Sequence, residues 1–234
     1  MTSQPRHRTL RSWVYESLSE RIITGQLMPG TVLVETQLAA EMGVSRSPIR
    51  EALRQLDQDG LVVNLPNSTT TVAPFEESDI DQIFEMRDLL ESMLVGHAAI
   101  ERTEAELAEC AALLDTMPGF AAKEDIPHYA AGDALFHSLI WRMGKRPRIL
   151  ETIMPIANQG RRYLNLASKA LRNEFDKTLL ASHEEHLQVF DAIREQDELR
   201  AKIAIREHML SSRARILRSF REEKEVAMAN QVGS

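Results

Sequence analysis

The feature that most constrains this chain is Gly43 and the run that follows it, Val44-Ser45-Arg46-Ser47-Pro48-Ile49-Arg50-Glu51-Ala52-Leu53. Upstream, Leu38, Ala39 and Ala40 predict a short helix that ends at Met42-Gly43. Glycine takes the positive φ that a sharp helix-to-helix turn requires, and the small Ala39 lets the two helices approach closely. Beyond the turn, Ser45 or Ser47 can cap the next helix, and Pro48 falls in its first turn, where a missing N–H costs nothing. Ile49, Ala52, Leu53 and Leu56 recur at helical spacing and form a core-facing stripe. That leaves Ser45, Arg46, Ser47 and Arg50 on the outer N-terminal face, the part of a recognition helix that enters the major groove of DNA. Arginine there can bind guanine O6 and N7 together, while serine reaches phosphates or base edges.

After Gly60, the segment Leu61-Val62-Val63-Asn64 favours a strand, Leu65-Pro66-Asn67-Ser68 a turn, and Thr69-Thr70-Thr71-Val72 a second strand. Two short strands behind a helix-turn-helix make a wing. From about Thr9 to Val72 the chain resembles the winged-helix domain of the GntR family of bacterial regulators. The resemblance rests on Leu27-Met28-Pro29-Gly30, on Glu35-x-x-Leu38-Ala39, and on Val44 to Leu56 with Gly60-Leu61-Val62. It implies DNA contacts from Ser45, Arg46, Ser47 and Arg50, and from Asn67 and Ser68 at the wing tip. That tip reads Pro66-Asn67-Ser68-Thr69, where the family usually carries glycine and basic residues.

A chain of 234 residues suits two domains of modest size. No apolar run approaches the ~20 residues that a bilayer requires, so neither a membrane span nor a signal peptide is expected. The single cysteine, Cys110, excludes an internal disulfide and fits a reducing cytoplasm. A net charge of −7 argues mildly against nucleic acid. Local potential outweighs the sum, however: Arg6, Arg8, Arg11, Arg46 and Arg50 can share one face even where Glu16, Glu20 and Glu41 balance the domain. The boundaries expected are a winged helix-turn-helix domain over 1–73, a linker over 74–78 around Pro74, a helical domain over 79–222, and a disordered tail over 223–234.

In the second domain β-branched runs give way to long helical periodicities. A helix starts near Ser78 and carries Ile80, Ile83, Phe84, Met86, Leu89, Leu90, Met93 and Leu94. A capping box, Thr103 with Glu106, opens the next, which Met117-Pro118-Gly119 ends. Further helices are expected at about Pro127 to Met143, Pro147 to Ala167, Glu174 to Glu195 and Leu199 to Arg221. The fold class is therefore mainly α: a winged helix-turn-helix head followed by an all-α antiparallel helical bundle. Asp133 and His137 lie at i and i+4 on one helix face, and His186 and His208 have apolar neighbours at helical spacing on two others. Three imidazoles and a carboxylate suit a divalent ion such as zinc, nickel, iron or manganese. The competing reading is histidines exposed or satisfied by core hydrogen bonds.

The segment from about Ser78 to Phe220 resembles the FCD ligand-binding domain of the FadR subfamily of GntR regulators. The residues that carry the likeness are Phe84-Glu85-Met86-Arg87-Asp88-Leu89-Leu90-Glu91, Asp133-x-x-Phe136-His137, Glu185-His186 with Asp191-Ala192-Ile193, and Arg206-Glu207-His208-Met209-Leu210. The resemblance implies that Asp133, His137, His186 and His208 bind a metal, with His183, one turn away, as the rival of His186. It also implies that Arg87 faces a cavity and binds the carboxylate of a small organic or sugar acid. The alternative for Arg87 is a solvated pair with Glu91, and Arg142, Arg161 and Arg162 are weaker candidates with surface charge as their default. The function expected is a ligand-responsive regulator, most often a repressor in this family, that binds an inverted-repeat DNA operator as a homodimer and is not an enzyme. Competing expectations are a metal-dependent hydrolase, which leaves the first seventy-odd residues unexplained, and a regulator whose metal is purely structural or is itself the signal.

Overall fold

The computed structural model describes residues 9–65, 69–74, 76–170 and 175–232, with side chains at 9–65, 69–74, 76–165 and 178–222. The chain divides into two compact units, Met1–Glu76 and Glu77–Ser234. Among the described residues, no helix is long and apolar enough to cross a membrane.

The first unit contains α1 (Leu10–Ile23), β1 (Val32–Leu33), α2 (Glu35–Met42), α3 (Arg46–Gln58), β2 (Val62–Asn64) and β3 (Thr70–Val72). Thr9 caps α1 by accepting from the Ser12 amide. Val14, Leu18 and Ile22 of α1 meet Ile49, Ala52 and Leu56 of α3 in a core that also takes in Leu61 and Val72. The Tyr15 hydroxyl and the Gln55 amide both donate to Asp59, which fixes α1 against the end of α3. Gly43 closes α2 at φ 65°, the left-handed turn that its position requires. Ser45 occupies the N-cap of α3, but its side chain makes no capping bond. The antiparallel sheet has the order β1-β3-β2, with Val62 opposite Val72 and Val32 opposite Thr71. Strand β1 is an addition to the two-stranded wing expected from sequence. Two residues are too few to show a period, and β1 exists because β3 offers it a partner.

Among the described residues, the second unit is all helical: α4 (Glu77–Glu101), α5 (Glu104–Ala121), α6 (Ile126–Met143), α7 (Pro147–Ala170), α8 (Phe175–Arg194) and α9 (Glu198–Val232). Helix α4 packs on α9, α7 and α6, while α8 lies between α9 and α5. Three expectations are corrected. The linker expected over 74–78 is shorter, because Glu77 and Ser78 are already helical, with acidic Glu77 and Asp79 favouring the N-terminal end of the helix dipole. Helix α5 does not end at Met117-Pro118-Gly119. It runs through Pro118 to Ala121, since Pro118 forfeits one donor while its own carbonyl accepts from Ala122, and Met117 is fully buried. The tail expected to be disordered from 223 is helical to Val232, in a stretch of Glu, Lys, Ala and Met with no glycine or proline before Gly233.

Two glycines are required for different reasons. A Cβ on Gly43 would meet no atom within 4 Å, so only its positive φ resists substitution. Gly144 has an ordinary φ of −69°, yet a Cβ there would sit 2.5 Å from the Leu94 carbonyl oxygen of α4. Gly43→Ala should therefore cost the first unit about 1 kcal/mol, and Gly144→Ala should cost the second unit more, about 3 kcal/mol. Denaturant titrations of the two variants measure the order, and equal losses would contradict the close approach at Gly144.

Candidate functional site

The buried face of α6 carries Tyr129, Asp133, Phe136, His137, Ile140 and Trp141. Because Asp133 and His137 are one helical turn apart, both project toward the same point, where α8 adds His186 and α9 adds His208. All four are buried, and one ligand atom from each lies within 4.8 Å of the others. Metal–ligand bonds of about 2.0–2.2 Å place donors at most about 4.4 Å apart across an ion, so the set needs only slight contraction to hold one.

Two of the histidines are oriented from behind. Glu91 of α4 has no exposed surface, and its Oε2 accepts from His137 Nδ1 at 2.8 Å and Trp141 Nε1 at 3.1 Å, while Oε1 accepts from Arg87 Nε at 2.8 Å. Glu185 accepts from His208 Nδ1 at 2.8 Å and from both terminal nitrogens of Arg215 at 2.8 and 2.9 Å. Burial opposes ionisation of both acids. Arg87 and His137 nevertheless hold the Glu91 carboxyl down to about 2, and Arg215 and His208 do the same for Glu185. An ionised carboxylate only accepts, so each Nδ1 carries a proton and each Nε2 is left to face the cluster. Those two Nε2 atoms face one another at 3.3 Å. Two ring nitrogens this close need a proton or a cation between them. Both nitrogens of His186 lack a hydrogen-bond partner, although its Nε2 lies 3.3 Å from Asp133 Oδ1. Burial pushes His208 down to about 3 and lowers His186, against the pull of Glu185 and Asp133 respectively. Burial would raise Asp133, yet the surrounding histidines hold it below the usual carboxylate range. His186 and His208 biased toward the neutral form, beside an ionised Asp133, suit a metal site.

A cavity opens beside this cluster. Phe84, Ile126, Leu164, Leu179 and Ile216 give it apolar walls, Arg87, Tyr129, Ser212 and Arg215 give it polar groups, and Asp133, His137 and His208 form one edge. Arg87 thus fits neither sequence expectation alone. It does pair with Glu91, but the pair is buried rather than solvated, with side-chain exposures of 10% and 0%, and the arginine also lines the cavity. His183 is buried but outside the group of four. Surface charge is not the rule for the other arginines: Arg162 is 2% exposed and Arg161 lines a second recess against His137, whereas Arg142 is exposed and bonds the Ser138 carbonyl. Glu91, Glu185, Arg215 and Trp141 were not anticipated as site residues. Glu185 precedes His186, and Arg215 follows His208 by two turns, but such spacings are common on solvated helices.

In the first unit, Ser45, Arg46, Ser47 and Arg50 are all exposed on the N-terminal turns of α3. Asn67 and Ser68 lie outside the described residues. Glu35, at the start of α2, accepts from Arg46 Nη2 and from Arg50 Nε and Nη2, each at 3.0 Å.

The family model for bacterial regulatory proteins of the gntR family matches residues 10–72, and that of the FCD domain matches residues 82–211. An uncharacterised HTH-type transcriptional regulator from an unstable DNA locus of Streptomyces ambofaciens is 29% identical over 208 residues, 88% of this chain and 85% of that one. The gluconate operon transcriptional repressor of Bacillus licheniformis is 34% identical over 128 residues, 53% of this chain and 51% of its own. Among solved structures, Escherichia coli McbR/YncC superposes with a TM-score of 0.82 at 24% identity, covering 91% of this chain and 99% of that one, a likeness of fold. With a matched helix-turn-helix head and a matched helical domain that spans more than half its length, the chain belongs to the GntR family of bacterial transcriptional regulators, in the branch whose second domain is an FCD domain.

Proposed function

We propose that this protein is a homodimeric repressor that binds an inverted-repeat operator through Arg46 and Arg50 of α3, and that its second unit holds a divalent cation at Asp133, His137, His186 and His208 and senses a small carboxylate beside it. The observation that carries the sensing part is the pair of Nε2 atoms facing each other at 3.3 Å, each ring oriented by a carboxylate behind it. Zinc, nickel, iron and manganese all accept such a donor set. When bound, the ion supplies positive charge and open coordination positions.

Charge supports the ligand class. Around the cluster and the recesses beside it, Glu91, Asp133 and Glu185 are negative, and Arg87, Arg161 and Arg215 are positive. Three against three leaves no net charge to attract an acid. A divalent cation makes the sum positive, and the cavity then suits a small carboxylate, which a guanidinium can meet with charge-assisted hydrogen bonds. The acids nearest the ligands are each engaged, Glu91 with His137 and Arg87, Glu185 with His208 and Arg215, so neither is available as the general base of a hydrolase. The repressor reading is supported by the relatives that carry that description. Effector binding must favour one arrangement of the dimer over the other, since equal affinity shifts nothing.

Metal content of the purified protein, with thermal shifts in small carboxylic and sugar acids before and after chelation, tests the sensing part. Stabilisation by a small carboxylate is expected only with metal present, and an undiminished response after complete chelation would remove the ion from the sensor. His186→Ala should lose metal, and Glu91→Gln, which weakens the support behind His137, should lower metal affinity by roughly 10- to 100-fold. Unchanged metal content in His186→Ala would discard the site. Arg46→Ala and Arg50→Ala should abolish preference for a selected DNA site with helical content intact, and specific binding that survived both would reject α3 as the recognition helix.

A further inference from the structure

Arg46 and Arg50 of α3 are both held by one carboxylate of the preceding helix. Arg50 turns one edge of its guanidinium toward Glu35, with Nε on Oε1 and Nη2 on Oε2, both at 3.0 Å. Arg46, one turn earlier, gives a single bond from Nη2 to the same Oε2. A guanidinium has five N–H donors in a rigid plane. The contact with Glu35 uses the Nε hydrogen and one on Nη2, and leaves the Nη1–Nη2 end of Arg50 with both its forward hydrogens. That end is the edge which spans guanine O6 and N7. The arginine side chains are each 58% exposed and Glu35 only 27%, so the carboxylate sits behind the pair, and the guanidinium ends face outward.

Nothing about Glu35 makes this arrangement an accident of a mobile surface. It is the first residue of α2, where a negative charge is favoured and where Val34 provides no side-chain cap. The bonds from Arg50 and Arg46 keep its carboxyl down to about 2, so it stays ionised across the physiological range. Resting on the reading of α3 as a recognition helix, we propose that Glu35 is a positioning and specificity residue: it presents Arg50 end-on to a guanine and cancels part of the positive charge that would otherwise grip any phosphate backbone.

The two halves of that role are separable by experiment. DNA sites are first selected from a randomised duplex pool with the full-length wild-type protein, and affinity is then measured across salt for the best selected duplex and for an unrelated duplex of equal length. Glu35→Gln should bind the unrelated duplex more tightly, with a slope in log affinity against log salt steeper by about 0.9, the value of one additional neutralised phosphate. Its preference for the selected duplex should fall by roughly 5- to 100-fold, with the loss at guanine positions. Glu35→Asp keeps the charge but withdraws the carboxylate, and should retain the wild-type salt slope while losing part of the preference. An unchanged preference in Glu35→Gln overturns the positioning role, as does an equal loss of affinity for both duplexes, which would mean that Glu35 only holds the head together. If the wild-type protein selects no sequence at all, the recognition-helix reading fails and takes this role with it. If the wild type selects a guanine-containing site that Arg50→Ala reads equally well, only the role of Glu35 fails.

Discussion

A carboxylate with no exposed surface governs the second unit. Buried alone, Glu91 would cost several kcal/mol, and removing one partner of such a buried pair typically costs about 3–5 kcal/mol. It is tolerated because Arg87, His137 and Trp141 converge on it from α4 and α6. That requirement fixes how the two helices register against each other, and it fixes the tautomer of His137. A second acid, Glu185, does the same for His208 with the help of Arg215. The orientation of two of the four cluster residues is thus set one layer out, by acids that do not belong to the cluster.

Much of the fold was legible from local chemistry. Gly43 announced the turn, the stripe of Ile49, Ala52, Leu53 and Leu56 announced the core of the head, and Thr103 with Glu106 announced the start of α5. Those signals are carried by residues within a few positions of each other. Asp133 and His137 were legible for the same reason, His186 and His208 through apolar neighbours at helical spacing, and the resemblance to a known domain joined the four as a set. What failed to show was cooperative. Strand β1 depends on β3, and the passage of α5 through Pro118 depends on the burial of Met117. Glu91 illustrates the difficulty most plainly: four residues after Arg87, it looks like half of a solvated surface pair, and only the packing of α6 over it reveals its burial.

The head and the helical unit use the same device. In each, a carboxylate accepts from one edge of a charged or ring side chain and leaves its other edge pointing away: Glu35 with Arg50, Glu91 with His137, Glu185 with His208. Pairs of this kind lose little side-chain freedom when a partner arrives, because the freedom is already gone in the free protein. They also set tautomer and direction, which a bare arginine or histidine leaves open.

The two oxygens of Glu91 have different correspondents: one answers to Arg87 on the cavity wall, the other to His137 in the cluster. An anion placed against Arg87 would compete with Glu91 for the guanidinium, and the contested carboxylate is the one that orients His137. By reciprocity, whatever draws Glu91 toward His137 would free Arg87 for an anion. One side chain with no path to solvent makes the wall and the cluster a single electrostatic instrument.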